Sequence, residues 1–381
     1  MYLDHNATTP VDPQVLEAML PHLQGCCGNP SSVHKAGRIA RAAVDEAREQ
    51  VASLVGVQAS QVVFTASGTE ANNMALKGVA ALKGRDAALL VSAIEHPSVA
   101  QVASALARQG WPVQRVAPDV HGLVQAEAVA EAMPAACGLV SVMLANNETG
   151  AIQDVAAIAR IARARGALVH TDAVQALGKM PVDFGALGVH MMSLSAHKIY
   201  GPKGVGALVL DKRTALEPLL HGGGHERRRR AGTENVAAIV GFGKAAVLAQ
   251  ERLDADMAQQ SALRDRLIQA ARAAVPDMVV FAEDAPRLCN TVALGVPGIE
   301  GETLLMSLDL MDIMVSSGSA CSSGSLDPSP ALLAMGVPVD VARSAIRVSL
   351  GRDTSVADID RFVSVLRQQV ERLRNLSRIA G

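Results

Sequence analysis

The chain has 381 residues, of which 49% are hydrophobic and 19% are charged, with a formal net charge of −2. This length predicts two or three domains with a sizeable core, and the near-zero charge excludes a global attraction to nucleic acid or anionic membranes. The five scattered cysteines exclude a disulfide framework.

The N-terminal segment lacks the basic start and apolar core of a signal peptide. No apolar run approaches the ~18 residues of a membrane span. We therefore expect a cytoplasmic protein that does not enter a membrane. Cys26 and Cys27 could form half of a metal site with His34, but no second cysteine pair supports it, and we predict no metal.

Short apolar runs bounded by polar residues or glycine predict buried strands in the first half of the chain. Helical stretches lie between several of them, and this alternation predicts a mostly parallel sheet covered on both faces. The predicted strands are 62–64, 87–94, 139–145, 167–169, 191–194 and 205–210, and the predicted helices are 70–82, 98–108 and 155–165.

The pattern changes after the glycine cluster 222–224, where an alanine-rich helical region covers 236–273. Shorter elements follow, which is typical of a separate α+β unit. We predict a large domain at 14–255 and a smaller α+β domain formed by 1–13 and 256–381. The predicted strands here are 278–281, 291–294, 313–315 and 346–350, with helices at 302–308 and 357–376.

Polar residues close several of the predicted strands, and side chains at successive strand ends converge on one crevice. Ser67-Gly68-Thr69 stands between a strand and a helix, where its backbone N–H groups and the Thr69 hydroxyl would bind a phosphate, or where it would be a simple side-chain N-cap of the helix. Asp172 ends an apolar strand, and a carboxylate there needs a cation or a hydrogen-bond donor, for which a protonated pyridine nitrogen would be suitable.

Other residues of the crevice are compatible with an aldehyde cofactor. Lys198, in Ser195-Ala196-His197-Lys198, offers an amine that could hold such a cofactor as a Schiff base, although most lysines are solvated surface charges. Gln175 could donate to a ring hydroxyl. His96 could stack on the ring, or it could be an ordinary structural histidine.

With these residues in place, the chain resembles the pyridoxal-phosphate-dependent cysteine desulfurases of the nitrogen-fixation and iron–sulfur-assembly type, which are class-V-aminotransferase-like. The resemblance runs from the N-terminal segment to the last predicted strand. It is carried by YLDHNATTP at 2–10, GNPSS at 28–32, ANN at 71–73, NNETG at 146–150, HKIYGPKG at 197–204, SGSAC at 317–321 and RVSLGR at 347–352.

The resemblance implies a fold-type-I, aspartate-aminotransferase-like α/β architecture, pyridoxal 5'-phosphate as the cofactor and a homodimer with shared active sites. It implies that L-cysteine is the substrate and that the products are L-alanine and a persulfide. By this resemblance the cofactor is held by Lys198, Asp172, Gln175, His96 and Asn147. Its phosphate is bound by Gly68, Thr69, Ser195, His197 and the partner's Thr233. Arg347 and Asn147 bind the substrate, and Lys198 and His96 move protons.

The segment 316–330 is rich in serine and glycine, which predicts a mobile loop with an exposed Cys321. Its cysteine could be incidental, but cleavage of a carbon–sulfur bond needs a sulfur acceptor, and the resemblance assigns that role to Cys321. Cys137 and Cys289 lie in or beside apolar runs, so we expect both to pack as small hydrophobes.

The arginine run 227–230 indicates either an RNA-binding site or a strip of arginine side chains that are solvated or lie at a subunit interface. The absence of interleaved aromatic residues favours the solvated or interface strip. It could also meet an acidic partner. The short segment after the last predicted helix favours the nitrogen-fixation branch.

A selenocysteine lyase, an aminotransferase or a catalytically idle scaffold are the alternative functions, and the presence of Lys198, Asp172 and Cys321 argues against the idle form. The persulfide could serve an iron–sulfur scaffold or another sulfur acceptor.

Overall fold

The structure is a computed structural model, and it describes residues 1–25, 27–317 and 327–380. Cys26 and Cys321 therefore lie outside the described residues. Within the described ranges, two sheets and the helices around them account for the regular structure. In those ranges no helix is both long and apolar enough to span a membrane.

The larger sheet confirms the predicted mostly parallel arrangement. Among the described residues it has seven strands in the order β1-β7-β6-β5-β4-β2-β3. All neighbours from β6 to β3 are parallel, whereas β7 is antiparallel to both β6 and β1. The strands are β1 (Val62–Thr65), β2 (Ala88–Ser92), β3 (Val113–Val116), β4 (Cys137–Ser141), β5 (Leu168–Asp172), β6 (Met191–Ser195) and β7 (Gly206–Leu210).

Helices cover both faces of this sheet, so alternate strand residues enter different cores. Val62 and Phe64 of β1 pack in one hydrophobic cluster, and Val63 packs in the other. The helices that precede or accompany this sheet are α1 (Pro13–Gln24), α2 (Lys35–Leu54), α3 (Gly68–Lys83), α4 (Pro97–Arg108), α5 (Ala126–Ala132), α6 (Val155–Ala164), α7 (Phe184–Leu187), α8 (His225–Arg228) and α9 (Val236–Ala274).

The smaller sheet is antiparallel, with the order β10-β11-β9-β8 in the described part of the chain. The N-terminal residues join it, because Asp4 bridges Ser349. Its elements are β8 (Val279–Val280), β9 (Thr291–Gly295), β10 (Ser316–Ser317) and β11 (Ala345–Ser349), with helices α10 (Gly301–Asp309), α11 (Pro330–Ala334), α12 (Val339–Arg343) and α13 (Val356–Ala380).

Helix α9 is continuous across the predicted domain boundary at residue 255. Ala249 packs in the core under the larger sheet, while Leu263 packs in a second core beneath the smaller sheet. The helix therefore passes from one core to the other between these two residues, and the boundary itself stays a prediction.

Several elements differ from the sequence-based expectations. Helices α1 and α2 and the edge strand β3 were not predicted, and the side chains of Gln114 and Arg115 in β3 are exposed. The strand expected at 313–315 is wrong, because pairing with β11 begins at Ser316 and only Met314 bridges the N-terminal segment. Cys137 and Cys289 are buried as expected.

Candidate active site

One cavity opens at the carboxyl ends of the parallel strands, where open α/β sheets bind their ligands. It brings together residues that are distant in the chain, from Ala7 in the N-terminal segment to Lys198 in the turn after β6. Of the predicted site residues, it is lined by Gly68, Thr69, His96, Asn147, Asp172, Gln175, Ser195, His197 and Lys198.

The start of α3 forms a cradle at one end of this cavity. Ser67 caps the helix, since its Oγ accepts from the N–H of Glu70 at 3.2 Å. Ser195 also lines the cavity, and its Oγ is buried without a hydrogen-bond partner. A Cβ at Gly206 would lie 2.6 Å from the Ser67 carbonyl carbon, so the close approach of β7 requires glycine. The Ser195 hydroxyl and the backbone N–H groups at the start of α3 can donate hydrogen bonds to a phosphate.

Asp172 lies at the end of β5, and its side chain is almost fully buried. One carboxylate oxygen accepts from the N–H of Val174 at 3.0 Å, and the other accepts from Asn72 Nδ2 at 2.6 Å. Both partners are neutral, so the negative charge of a buried carboxylate still favours a cationic ligand in the adjoining cavity. A protonated pyridine nitrogen fits this requirement.

His96 stands at the start of α4 and caps it, with Nδ1 accepting from the N–H of Ser98 at 3.1 Å. Burial lowers the pKa of His96 more than the Asp172 carboxylate raises it, and the Lys198 ammonium lowers it further. The ring is therefore neutral near pH 7, and because Nδ1 accepts, its proton lies on Nε2.

Lys198 ends a single 3₁₀ turn that follows β6. Its amine donates to the backbone carbonyls of Asn6 and Ala7, the second at 2.8 Å. The carbonyl of Asn6 also accepts from Gln175 Nε2 at 2.9 Å, so Gln175 and Lys198 meet at one N-terminal residue.

A second lysine, Lys179, lies behind Gln175 and was not predicted. Its Nζ donates to Gln175 Oε1 at 2.8 Å and to Asn6 Oδ1 at 3.1 Å. Burial, with a smaller effect of Lys198, lowers the pKa of Lys179 to about 7. These bonds fix the orientation of the Gln175 amide. The GKMP sequence at 178–181 follows a turn without any apolar periodicity, so the sequence carries no signal for this contact.

Arg347 and Thr233 do not line the cavity in this chain. Arg347 is buried, and its guanidinium donates to the Asn147 carbonyl at 2.9 Å and to Asp4 at 2.6 Å. Arg347 therefore contacts Asn147, which lines the cavity, and its guanidinium already forms an ion pair with Asp4 of the same chain. Thr233 is exposed, two residues before the cap of α9.

The geometry can be compared with known proteins. The profile of the aminotransferase class-V family matches residues 1–362, and the chain belongs to this family. Within it, similar curated proteins are named cysteine desulfurases. One from Trichormus azollae is 44% identical over 377 residues, covering 99% of this chain and 94% of that protein. One from Cereibacter sphaeroides is 45% identical over 379 residues, with coverages of 99% and 97%.

Solved structures agree with this grouping. A NifS-like protein superposes with a TM-score of 0.91 at 36% identity, covering 97% of this chain and 99% of that chain. The structure titled SspA in complex with cysteine superposes with a TM-score of 0.81 at 32% identity, with coverages of 92% and 98%. The predicted fold class and family resemblance are confirmed.

Class-V aminotransferases are pyridoxal-phosphate enzymes, so the predictions of an enzyme and of this cofactor are also confirmed. The cavity fits the cofactor, because it combines an unpartnered Ser195 hydroxyl at the cradle, a buried carboxylate and a lysine amine. In the described ranges, no group of three or more His, Cys, Asp or Glu side chains could hold a metal ion.

Proposed function

We propose that this protein is a cysteine desulfurase, which converts L-cysteine to L-alanine and passes the sulfur to Cys321 as a persulfide. The observation that carries the proposal is the cavity in which Lys198, Asp172 and His96 meet beside the phosphate cradle. The names and coverage of the relatives support the same activity.

The pyridoxal ring, when bound, supplies an electron sink for the carbon–sulfur cleavage. Lys198 would hold the cofactor through its amine and would then move the substrate α proton. Asp172 would favour a proton on the pyridine nitrogen, which strengthens the sink. Gln175, oriented by Lys179, could donate to the ring hydroxyl. His96, neutral with its proton on Nε2, would lie against the ring and could supply a proton to the substrate.

The sulfur step needs a thiol, and the described residues that line this cavity include no cysteine. We assign the step to Cys321, which lies outside the described residues. The Cys321 thiolate attacks the substrate sulfur, a sulfur–sulfur bond forms and the carbon–sulfur bond breaks. The electron pair of the broken carbon–sulfur bond remains on the carbon, which then takes up a proton to give alanine. No external oxidant is required, because the sulfur is oxidised by two electrons when the sulfur–sulfur bond forms and the carbon is reduced by the same two electrons when the carbon–sulfur bond breaks.

The substrate carboxylate is assigned to Arg347 and Asn147. A guanidinium fork suits a carboxylate, and the Nε of Arg347 is buried without a hydrogen-bond partner. The Asp4 carboxylate occupies another nitrogen of the same fork at 2.6 Å. We therefore expect substrate to share Arg347 with Asp4 or to displace it.

A homodimer with shared sites is also part of the proposal, with the partner's Thr233 completing the phosphate cradle. Large apolar side chains support an interface, because they are exposed just before and along α1, in the segment between α1 and α2, and in the first turns of α2. They are Val11, Leu16, Leu20, Leu23, Val33 and Ile39. Delivery to an iron–sulfur scaffold or another acceptor, and a cytoplasmic location, remain predictions.

The test compares Cys321→Ala with Cys27→Ala, a control at an exposed cysteine of the described chain. We expect Cys321→Ala to keep its yellow cofactor and its spectral change with L-cysteine, since Lys198 and Asp172 are intact, and to lose persulfide formation. The Cys27→Ala variant should transfer sulfur normally. Alanine and persulfide production by Cys321→Ala near the wild-type rate would refute the assignment, because another group would then be the sulfur acceptor.

A further inference from the structure

Glu70 places a carboxylate in the first turn of α3, beside the Ser67-Gly68-Thr69 cradle. Arg230 donates two hydrogen bonds to this carboxylate, from Nε to Oε1 at 2.8 Å and from Nη2 to Oε2 at 3.2 Å. The same Oε2 accepts from the N–H of Ala66 at 2.8 Å, so one carboxylate joins Arg230 to the turn between β1 and α3. Both side chains are mostly buried, with exposures of 19% for Arg230 and 15% for Glu70.

Arg230 follows the segment 226–228, whose backbone conformation is unfavourable and is stabilised by contacts of Glu226. Glu226, Arg227 and Arg228 adopt φ angles of 46°, 56° and 64°, a left-handed conformation that costs about 1 kcal/mol or more per non-glycine residue. The buried Glu226 carboxylate compensates, because it accepts from both terminal nitrogens of Arg48 at 2.7 and 2.8 Å and from the N–H of Phe64. The arginine run is thus anchored to β1.

Two anions would compete for the positive end of α3 if a phosphate entered the cradle. The helix N-terminus favours one negative charge, and Glu70 already supplies it. His197, which also lines the cavity, does not offset this, since burial and the neighbouring lysines lower its pKa to about 4 and leave it neutral. Arg230 is surrounded by the carboxylates of Glu70, Glu226 and Glu234, so its charge is directed at this cluster.

We propose that Arg230 is a positioning residue for the cofactor phosphate, which acts by neutralising Glu70 and fixing the β1–α3 turn rather than by touching the phosphate. This inference rests on the proposed phosphate cradle and is independent of the sulfur acceptor. It gives a function to the last member of the 227–230 run, for which the sequence favoured a solvated or interface strip.

The experiment measures the equilibrium binding of pyridoxal 5'-phosphate and of pyridoxal, which lacks the phosphate, to the cofactor-free protein. Arg230→Gln should raise the Kd for the phosphorylated ligand about tenfold or more, because a bare carboxylate then faces the phosphate, and should leave the Kd for pyridoxal within about twofold. Arg228→Gln, at an exposed neighbour in the same run, should change neither.

The double variant Arg230→Gln/Glu70→Gln separates charge balance from a purely structural role. It should recover most of the lost affinity, since the opposing carboxylate is gone, and Glu70→Gln alone should bind the phosphorylated ligand at least as tightly as wild type. An equal loss for both ligands in Arg230→Gln, no recovery in the double variant, or weaker binding by Glu70→Gln would overturn the proposal. If Arg230→Gln does not fold, the Glu70→Gln result decides alone. Ligand binding is read without turnover, so a failed desulfurase assay would not affect this outcome.

Discussion

Replacing Glu95 with glutamine should stabilise the protein increasingly as the pH rises. The Glu95 side chain is buried beside the active site, where one oxygen accepts from Ser92 Oγ at 2.5 Å and from the N–H of Met143 at 2.7 Å. The other oxygen is buried without a hydrogen-bond partner. Glutamine keeps the two accepting contacts, has nearly the same shape and cannot ionise.

The size of the effect follows from the proton equilibrium of this carboxyl. Burial, reinforced by the Asp172 carboxylate, raises the pKa of Glu95 from 4.5 to about 8. Between these values the unfolded chain releases the proton while the folded chain retains it, so rising pH favours unfolding. At ~1.4 kcal/mol per tenfold change in proton affinity, the loss is about 3 kcal/mol by pH 7 and levels off near 5 kcal/mol above pH 8.

The assay is urea unfolding of the cofactor-free wild type and Glu95→Gln from pH 5 to pH 8. Subtracting the wild-type free energy of unfolding from that of the variant at each pH removes effects common to both proteins. We expect this difference to rise by about 3 kcal/mol or more over the range. The exposed Glu131→Gln should show a flat difference. A flat or falling difference for Glu95→Gln would mean that Glu95 is ionised in the folded protein, which would refute the reasoning.

Other predictions address the site itself. Sodium borohydride should abolish the visible absorption band and fix the cofactor to Lys198, and a labelled peptide containing another lysine would contradict this. Mixing Lys198→Ala with Thr233→Ala subunits should regenerate activity, since one site of each mixed dimer is then intact; activity no higher than in either parent would indicate sites built from one chain. Arg347→Lys should lower kcat/KM for L-cysteine about tenfold or more, mainly through KM, while the cofactor spectrum is unchanged, because lysine cannot reproduce the bidentate fork.

The sequence was most informative where a short apolar run ends in a polar residue. Asp172 closes β5 and Ser195 closes β6, so the period of the strands and the parallel order were enough to predict that both lie at one edge. By contrast, Asn72 lies on the buried side of α3 and reads as part of a helical face. Its contact with Asp172 depends on how α3 packs on the sheet, 100 residues away in the chain.

The same limit applies to elements that were missed. Strand β3 exposes two of its four residues at the sheet edge, so it lacks the continuous apolar run by which the central strands were found. Helix α2 has an apolar stripe of the expected period, with Val44 and Val51 buried. All of its charged residues except Arg48 lie outside the buried face, and their number obscured that stripe. Tertiary packing, and not local preference, decides which charged side chain becomes buried, as with Arg48.

The N-terminal motif illustrates why a short segment far from the lysine belongs to the site. Asn6 offers its backbone carbonyl to Lys198 and to Gln175, both from the larger sheet. Its side chain forms hydrogen bonds with Asn290 at 3.1 Å and Thr291 at 2.9 Å, which lie just before and at the start of β9 in the smaller sheet. Because one buried residue satisfies groups from both sheets, a shift of the smaller sheet would displace the carbonyl that orients the Lys198 amine. The active site is therefore coupled mechanically to the sheet that carries Arg347.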